Sequence, residues 1–227
     1  MWHFCFYKHI LYGAAVTFGL ESANVVGYQN IDVVGGGFNY LTPTFLPVNG
    51  GDIDLQDIKL DPTTATEYGD NIQIWDEGGA LLSNYIYVGG AWSEDWATPV
   101  EGVTIKAGSS FVIEATANTK VTFSGAVATA DTTVEAVSGF NMVGNASPVD
   151  IDIQSIKLGE GATEYGDNIQ IWDNGGALIA NYIYVGGAWS EDWATPVENV
   201  TIKAGQGFTI EITNPGTEII LPPALKK

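Results

Sequence analysis

The chain has 227 residues, with 27 acidic against 8 basic side chains, a formal net charge of -19 and a pI near 4.1. That field repels phosphate, which argues against nucleic acid and anionic lipid surfaces as partners; every basic residue is a lysine, so the guanidinium fork that grips carboxylates and phosphates is missing too. An apolar fraction of 45% with 11% aromatics supplies a packed core and excludes a disordered or collagen-like chain.

Residues 1–23, MWHFCFYKHILYGAAVTFGLESA, follow the plan of a secretory signal peptide: Lys8, an apolar run over 10–20, then small residues with a cut expected after Ala23. The apolar run is about half the ~20 residues a membrane span needs. Cleavage there removes Cys5, His3 and His9, and the mature chain keeps its charge but has no Cys, His or Arg. Ser-His-Asp and Cys-His catalysis and the usual zinc ligand sets are thereby excluded. The expectation is a non-enzyme of the extracellular space, cell surface or periplasm, with no membrane span in the mature chain.

An internal duplication organises the rest. Residues 67–108 recur at 164–205 with a constant shift of 97 and four differences: Glu77/Asn174, Leu82/Ile179, Ser83/Ala180 and Gly102/Asn199. Weaker matches pair Gly37-Phe38-Asn39 with Gly139-Phe140-Asn141 and Ile58-Lys59-Leu60 with Ile156-Lys157-Leu158. Two modules follow, 24–127 and 128–227, each of ordinary domain size.

In chain order, the segment from Asp52 to Leu60 comes first. Its apolar pair Ile53/Leu55 is out of phase with Ile58/Leu60, which predicts a bulge or bend near Gln56-Asp57. Short β-branched and aromatic runs then appear at 72–74, 85–88, 103–105, 111–113 and 121–123, separated by Gly-rich turns. Asp76-Glu77-Gly78-Gly79 reads as a hairpin loop whose register stays open, and a one-residue slip reverses the face of Trp75. No segment carries a long helical period. The fold class expected is all-β: two tandem antiparallel β-sandwich domains.

The chemistry-bearing candidates lie on two features. Tyr85-Ile86-Tyr87-Val88-Gly89-Gly90-Ala91-Trp92-Ser93-Glu94-Asp95-Trp96, repeated up to Trp189, Glu191, Asp192 and Trp193, sets two Trp around two carboxylates. This is the composition of a sugar platform, rings for the apolar face of a pyranose and acids for its hydroxyls; the competing account folds Trp92 or Trp96 back over the sandwich end. Asp52, Asp54 and Asp57, with Asp150 and Asp152, raise structural calcium, although no EF-hand loop is present. The competing account is a set of solvent-facing acids that protect an edge strand.

The segments ANVVGYQNID, GGGFNYLTPTF, GGDIDLQDIKL, YGDNIQIWDEGG, YIYV and KAGSSFVIEA resemble a group of uncharacterised secreted, tandemly repeated β-rich proteins of Gram-negative bacteria. The Gly-aromatic pair usual in that group is kept as Gly207-Phe208 and replaced by Ser110-Phe111 in the first copy. The resemblance implies export and β-sandwich modules, and brings no catalytic residues. The function expected is an exported, non-catalytic surface or matrix protein; the alternative is a carbohydrate-binding module using the Trp-rich loops. Partners are then a glycan or another surface protein, and no cofactor is expected beyond structural calcium.

Overall fold

The computed structural model describes residues 26–76 and 78–225; the expected signal segment lies outside them. The described residues form strands, turns and two short 3-10 segments, with no α-helix among them. The first module holds β1 (Val26–Val33), β2 (Gly37–Leu41), β3 (Ile53–Asp54), β4 (Lys59–Leu60), β5 (Asn71–Trp75), β6 (Leu81–Val88), β7 (Ala91–Ser93), β8 (Thr104–Ile105), β9 (Phe111–Ala115) and β10 (Thr119–Ala126). The second repeats them as β11 (Thr132–Glu135), β12 (Gly139–Gly144), β13 (Ile151–Asp152), β14 (Lys157–Leu158), β15 (Asn168–Trp172), β16 (Leu178–Val185), β17 (Ala188–Ser190), β18 (Thr201–Ile202), β19 (Gly207–Ile212) and β20 (Glu218–Leu221).

Strand order repeats with the sequence. A five-stranded sheet β2-β9-β5-β6-β7, a three-stranded sheet β1-β10-β4 and the pair β3-β8 are matched by β12-β19-β15-β16-β17, β11-β20-β14 and β13-β18, all antiparallel. Alternation does the sorting: along β10, Val121 and Phe123 are buried while Lys120 and Ser124 face water. Phe111 of the five-stranded sheet meets Phe123 of the three-stranded sheet edge-on, with ring centroids 6.4 Å apart, and so joins the two layers of a β-sandwich-like core. That core gathers Leu55, Ile58, Ile72, Trp92 and Ile113; the second gathers Ile153, Ile156, Ile169, Trp189 and Ile210.

The phase slip between Ile53 and Ile58 is absorbed by a 3-10 turn over Leu55–Asp57. Its three-residue period brings Leu55 and Ile58 to the same side, and both are fully buried. The loop 76–79 is closed by Asp76, whose Oδ1 accepts from the amides of Gly78 and Ala80, with Gly79 at φ +77°. A bulge fixes the register left open by the sequence: Ile74 faces Ser83 but Trp75 faces Leu81, which leaves Leu82 unpaired and exposed.

The modules, joined by 127–131, dock through reciprocal contacts. The Thr42 amide donates to the Gly205 carbonyl at 2.9 Å, and the equivalent Gly144 amide donates to the Gly108 carbonyl at 3.1 Å. Leu41 bridges to Gln206, as Val143 does to Ser109. Contacts in which each copy uses the same patch define an isologous interface, here within one chain. The second module's hairpin reaches across as well, its Asn174 carbonyl accepting from Phe38 N at 2.7 Å. A Cβ on Gly37 would collide with that carbonyl, so the close approach requires glycine.

Candidate functional site

The two Trp of each loop have opposite fates. Trp92 and Trp189 stand at 0% exposure, and their indole N–H groups donate to the carbonyls of Ile58 (2.7 Å) and Ile156 (2.9 Å). Trp92 also packs edge-on to Tyr87 at 5.2 Å. These two therefore belong to the core and have no face to offer a ligand, a correction to the platform of four Trp. The physical reason is that β7 carries Trp92 on its inward side, and a glutamine seals the strand's outer edge. Gln56 Nε2 donates to the carbonyls of Trp92 (2.7 Å) and Val100 (3.0 Å) while its Oε1 accepts from Trp92 N (3.0 Å). Gln154 repeats this around Trp189. The side-chain amide, together with Val100 N, which also donates to the Trp92 carbonyl (2.9 Å), satisfies the backbone groups on that edge.

Trp96 and Trp193 are each 54% exposed. Each lies against a tyrosine not singled out in the sequence: Tyr68 and Trp96 rings are 6.2 Å apart and 12° from parallel, and Tyr165 and Trp193 are 6.0 Å apart at the same angle. Both tyrosines are exposed as well. All four adopt left-handed backbone, at φ +60° and +67° in the first module and +62° and +68° in the second. For a bulky side chain that conformation costs roughly 1–2 kcal/mol. It persists where the surroundings enforce it, and residues so held concentrate at functional sites.

The enforcement is visible on both sides of the pair. Asp95 Oδ1 accepts from Ser93 Oγ (2.9 Å), Ala97 N (3.1 Å) and Thr98 N (2.7 Å), locking the turn that carries Trp96; Asp192 does the same through Ser190, Ala194 and Thr195. The amide donors, Thr98 first, hold the Asp95 carboxyl at about 2, and those of Thr195 and Ala194 hold Asp192 at about 2. Under Tyr68, the fully buried Asp70 accepts from Thr66 N and Thr116 N, both at 2.7 Å, and Asp167 accepts from Thr163 N and Thr213 N. Glu67 accepts from Gly89 N at 2.7 Å. Glu94 and Glu191, two residues before Trp96 and Trp193 in the chain, are exposed. Of the eight residues singled out on these loops, Glu94, Trp96, Glu191 and Trp193 thus face solvent with Tyr68 and Tyr165, while Asp95 and Asp192 are turn anchors. The motif Glu-Tyr-Gly-Asp carries the only sequence signal for the tyrosines, an aromatic inside a turn.

The calcium candidates are not brought together. Asp54 and Asp152 cap the 3-10 turns by accepting from Gln56 N and Gln154 N, both at 2.8 Å. Asp150 pairs with Lys203 Nζ and accepts from Ala204 N, both at 2.9 Å. Asp52 and Asp57 are exposed. Among the described residues no group of three or more Asp, Glu, His or Cys stands close enough to share an ion; within the set, Asp54 and Asp152 serve local capping and Asp150 an ion pair.

A second feature, unmarked in the sequence, is an apolar cavity of about 230 Å³ between the modules, lined by Tyr40, Trp75, Phe140, Met142, Trp172 and Thr209 among others. Tyr40 stacks on Trp172 at 6.4 Å. Beside it the copies differ. Trp172 Nε1 donates to Thr209 Oγ1 at 2.9 Å, and that hydroxyl approaches Gln170 Oε1 at 3.4 Å. In the first module Val112 pairs with Gln73 where Thr209 pairs with Gln170. Trp75 Nε1 and Gln73 Oε1 are buried without partners as a result. Compared with protein-family models, with curated proteins and with solved structures, the chain matches none.

Proposed function

We propose that this chain is an exported, non-catalytic glycan-binding protein whose two equivalent platforms are the Tyr68/Trp96 and Tyr165/Trp193 pairs. The observation that carries the reading is the left-handed backbone at all four aromatic positions, with the rings nearly parallel and exposed. Burial offers no reason to place bulky aromatics there, whereas a stacking surface for the apolar face of a sugar ring does. Glu94 and Glu191 stand ready to accept from sugar hydroxyls. The charge of -19 favours a neutral glycan over an anionic one.

The anchoring acids are suited to shaping the loop rather than to hydrolysis. A glycosidase general acid needs a raised pKa, and Asp95 is driven the other way. The test is a titration of Trp fluorescence with a panel of neutral oligosaccharides. A saturable shift that disappears in the double variant Trp96→Ala/Trp193→Ala supports the reading; the absence of any shift across the panel refutes it.

A further inference from the structure

The two platforms stand at the outer ends of their modules. In the second, the hairpin after β15 is the part that touches the first module, through Asn174. Tyr165 precedes β15 and stacks on Trp193, at the other end of the same strands. The first module repeats the arrangement: Asp76 and Gly79 of its hairpin line the cavity between the modules, while Tyr68 precedes β5. Each strand has five residues, so each platform lies roughly 17 Å beyond the hairpin end that marks the module boundary. The isologous docking described above, with reciprocal hydrogen bonds at Thr42 and Gly144 and the Tyr40–Trp172 stack, keeps the two ends apart.

From this placement, and resting on the glycan reading above, we infer that the chain is a cross-linker of polysaccharide: each platform takes a separate strand or a separate surface, and the two do not share one short oligosaccharide. Two equal sites on opposite ends of a docked module pair gain nothing from a short ligand, but they join any polymers that both sites recognise. The ligand class is a neutral polysaccharide with repeated internal sugar units, since an exposed, nearly parallel ring pair can meet the apolar face of any unit along such a chain.

The experiment uses latex beads coated separately with dextran, xylan and galactomannan, and the full chain. On any coat that retains the protein, the wild type clumps beads along a dose curve that rises and then falls in excess protein. Trp96→Ala and Trp193→Ala each remain bead-bound but need at least tenfold more protein to clump, and the double variant neither binds nor clumps. Wild-type chain that coats beads without clumping them overturns the cross-linking inference and leaves the glycan reading intact. So does clumping by either single variant at the wild-type dose. Failure to bind any coat overturns both.

Discussion

Tyr68 and Trp96, 28 positions apart in the chain, lie with their rings 12° from parallel while both backbones occupy the left-handed region. Tyr165 and Trp193 reproduce the relationship, and Asp95 and Asp70 below the first pair are tied to backbone amides that leave the loops little freedom. The loops hold both rings outward on left-handed backbone, at a cost of roughly 1–2 kcal/mol per residue.

The Trp92 and Trp96 positions, four apart in the chain, are expected to respond in opposite ways. Trp92→Ala opens a cavity in the core and leaves the Ile58 carbonyl unpartnered, a loss of about 3–5 kcal/mol. Trp96→Ala removes an exposed ring and changes stability by no more than about 0.5 kcal/mol. Urea unfolding of the two variants checks this, and a large loss at Trp96 would make that residue structural.

Val112→Thr is expected to stabilise the first module by about 1 kcal/mol, because one hydroxyl supplies both the acceptor for Trp75 Nε1 and the donor for Gln73 Oε1. Thr209→Val in the second module is expected to cost about 1–3 kcal/mol by creating the same two orphans. Thermal unfolding of both variants provides the measurement; equal melting temperatures would contradict the pairing.

Acid is expected to release the Trp96 and Trp193 loops. Folded Asp95 and Asp192 titrate at about 2, below the ordinary value of 3.8. A carboxylate depressed in this way contributes its stabilisation in full above the ordinary value and loses it as pH falls toward 2. Trp fluorescence should therefore hold steady down to about pH 4 and change between there and pH 2, with Asp95→Asn and Asp192→Asn removing the transition. A transition centred above pH 5 would contradict the assignment.

Much of the architecture was legible in the residues. The duplication, the strand runs and the bend near Gln56 all follow from repetition and alternation, which are local properties. The inward and outward placement of Trp92 and Trp96 was not, because it depends on which side of β7 faces the core and on Gln56, 36 positions away. Tyr68 carries no signal of its own in the sequence, because its ring is given meaning only by Trp96. The aspartates suggested calcium by spacing, yet Asp54 and Asp152 are used by neighbouring amides and Asp150 by an amide and a lysine, while Asp52 and Asp57 are exposed. Module docking was silent in the sequence because edges find partners through backbone groups that every residue carries.

The most direct test of the central claim is the double variant Trp96→Gly/Trp193→Gly, measured for both melting temperature and binding to the neutral glycan identified in the panel. Glycine relieves the left-handed strain, so the account predicts an unchanged or higher melting temperature together with loss of the glycan response. A melting temperature lowered by several degrees with glycan binding retained would contradict it.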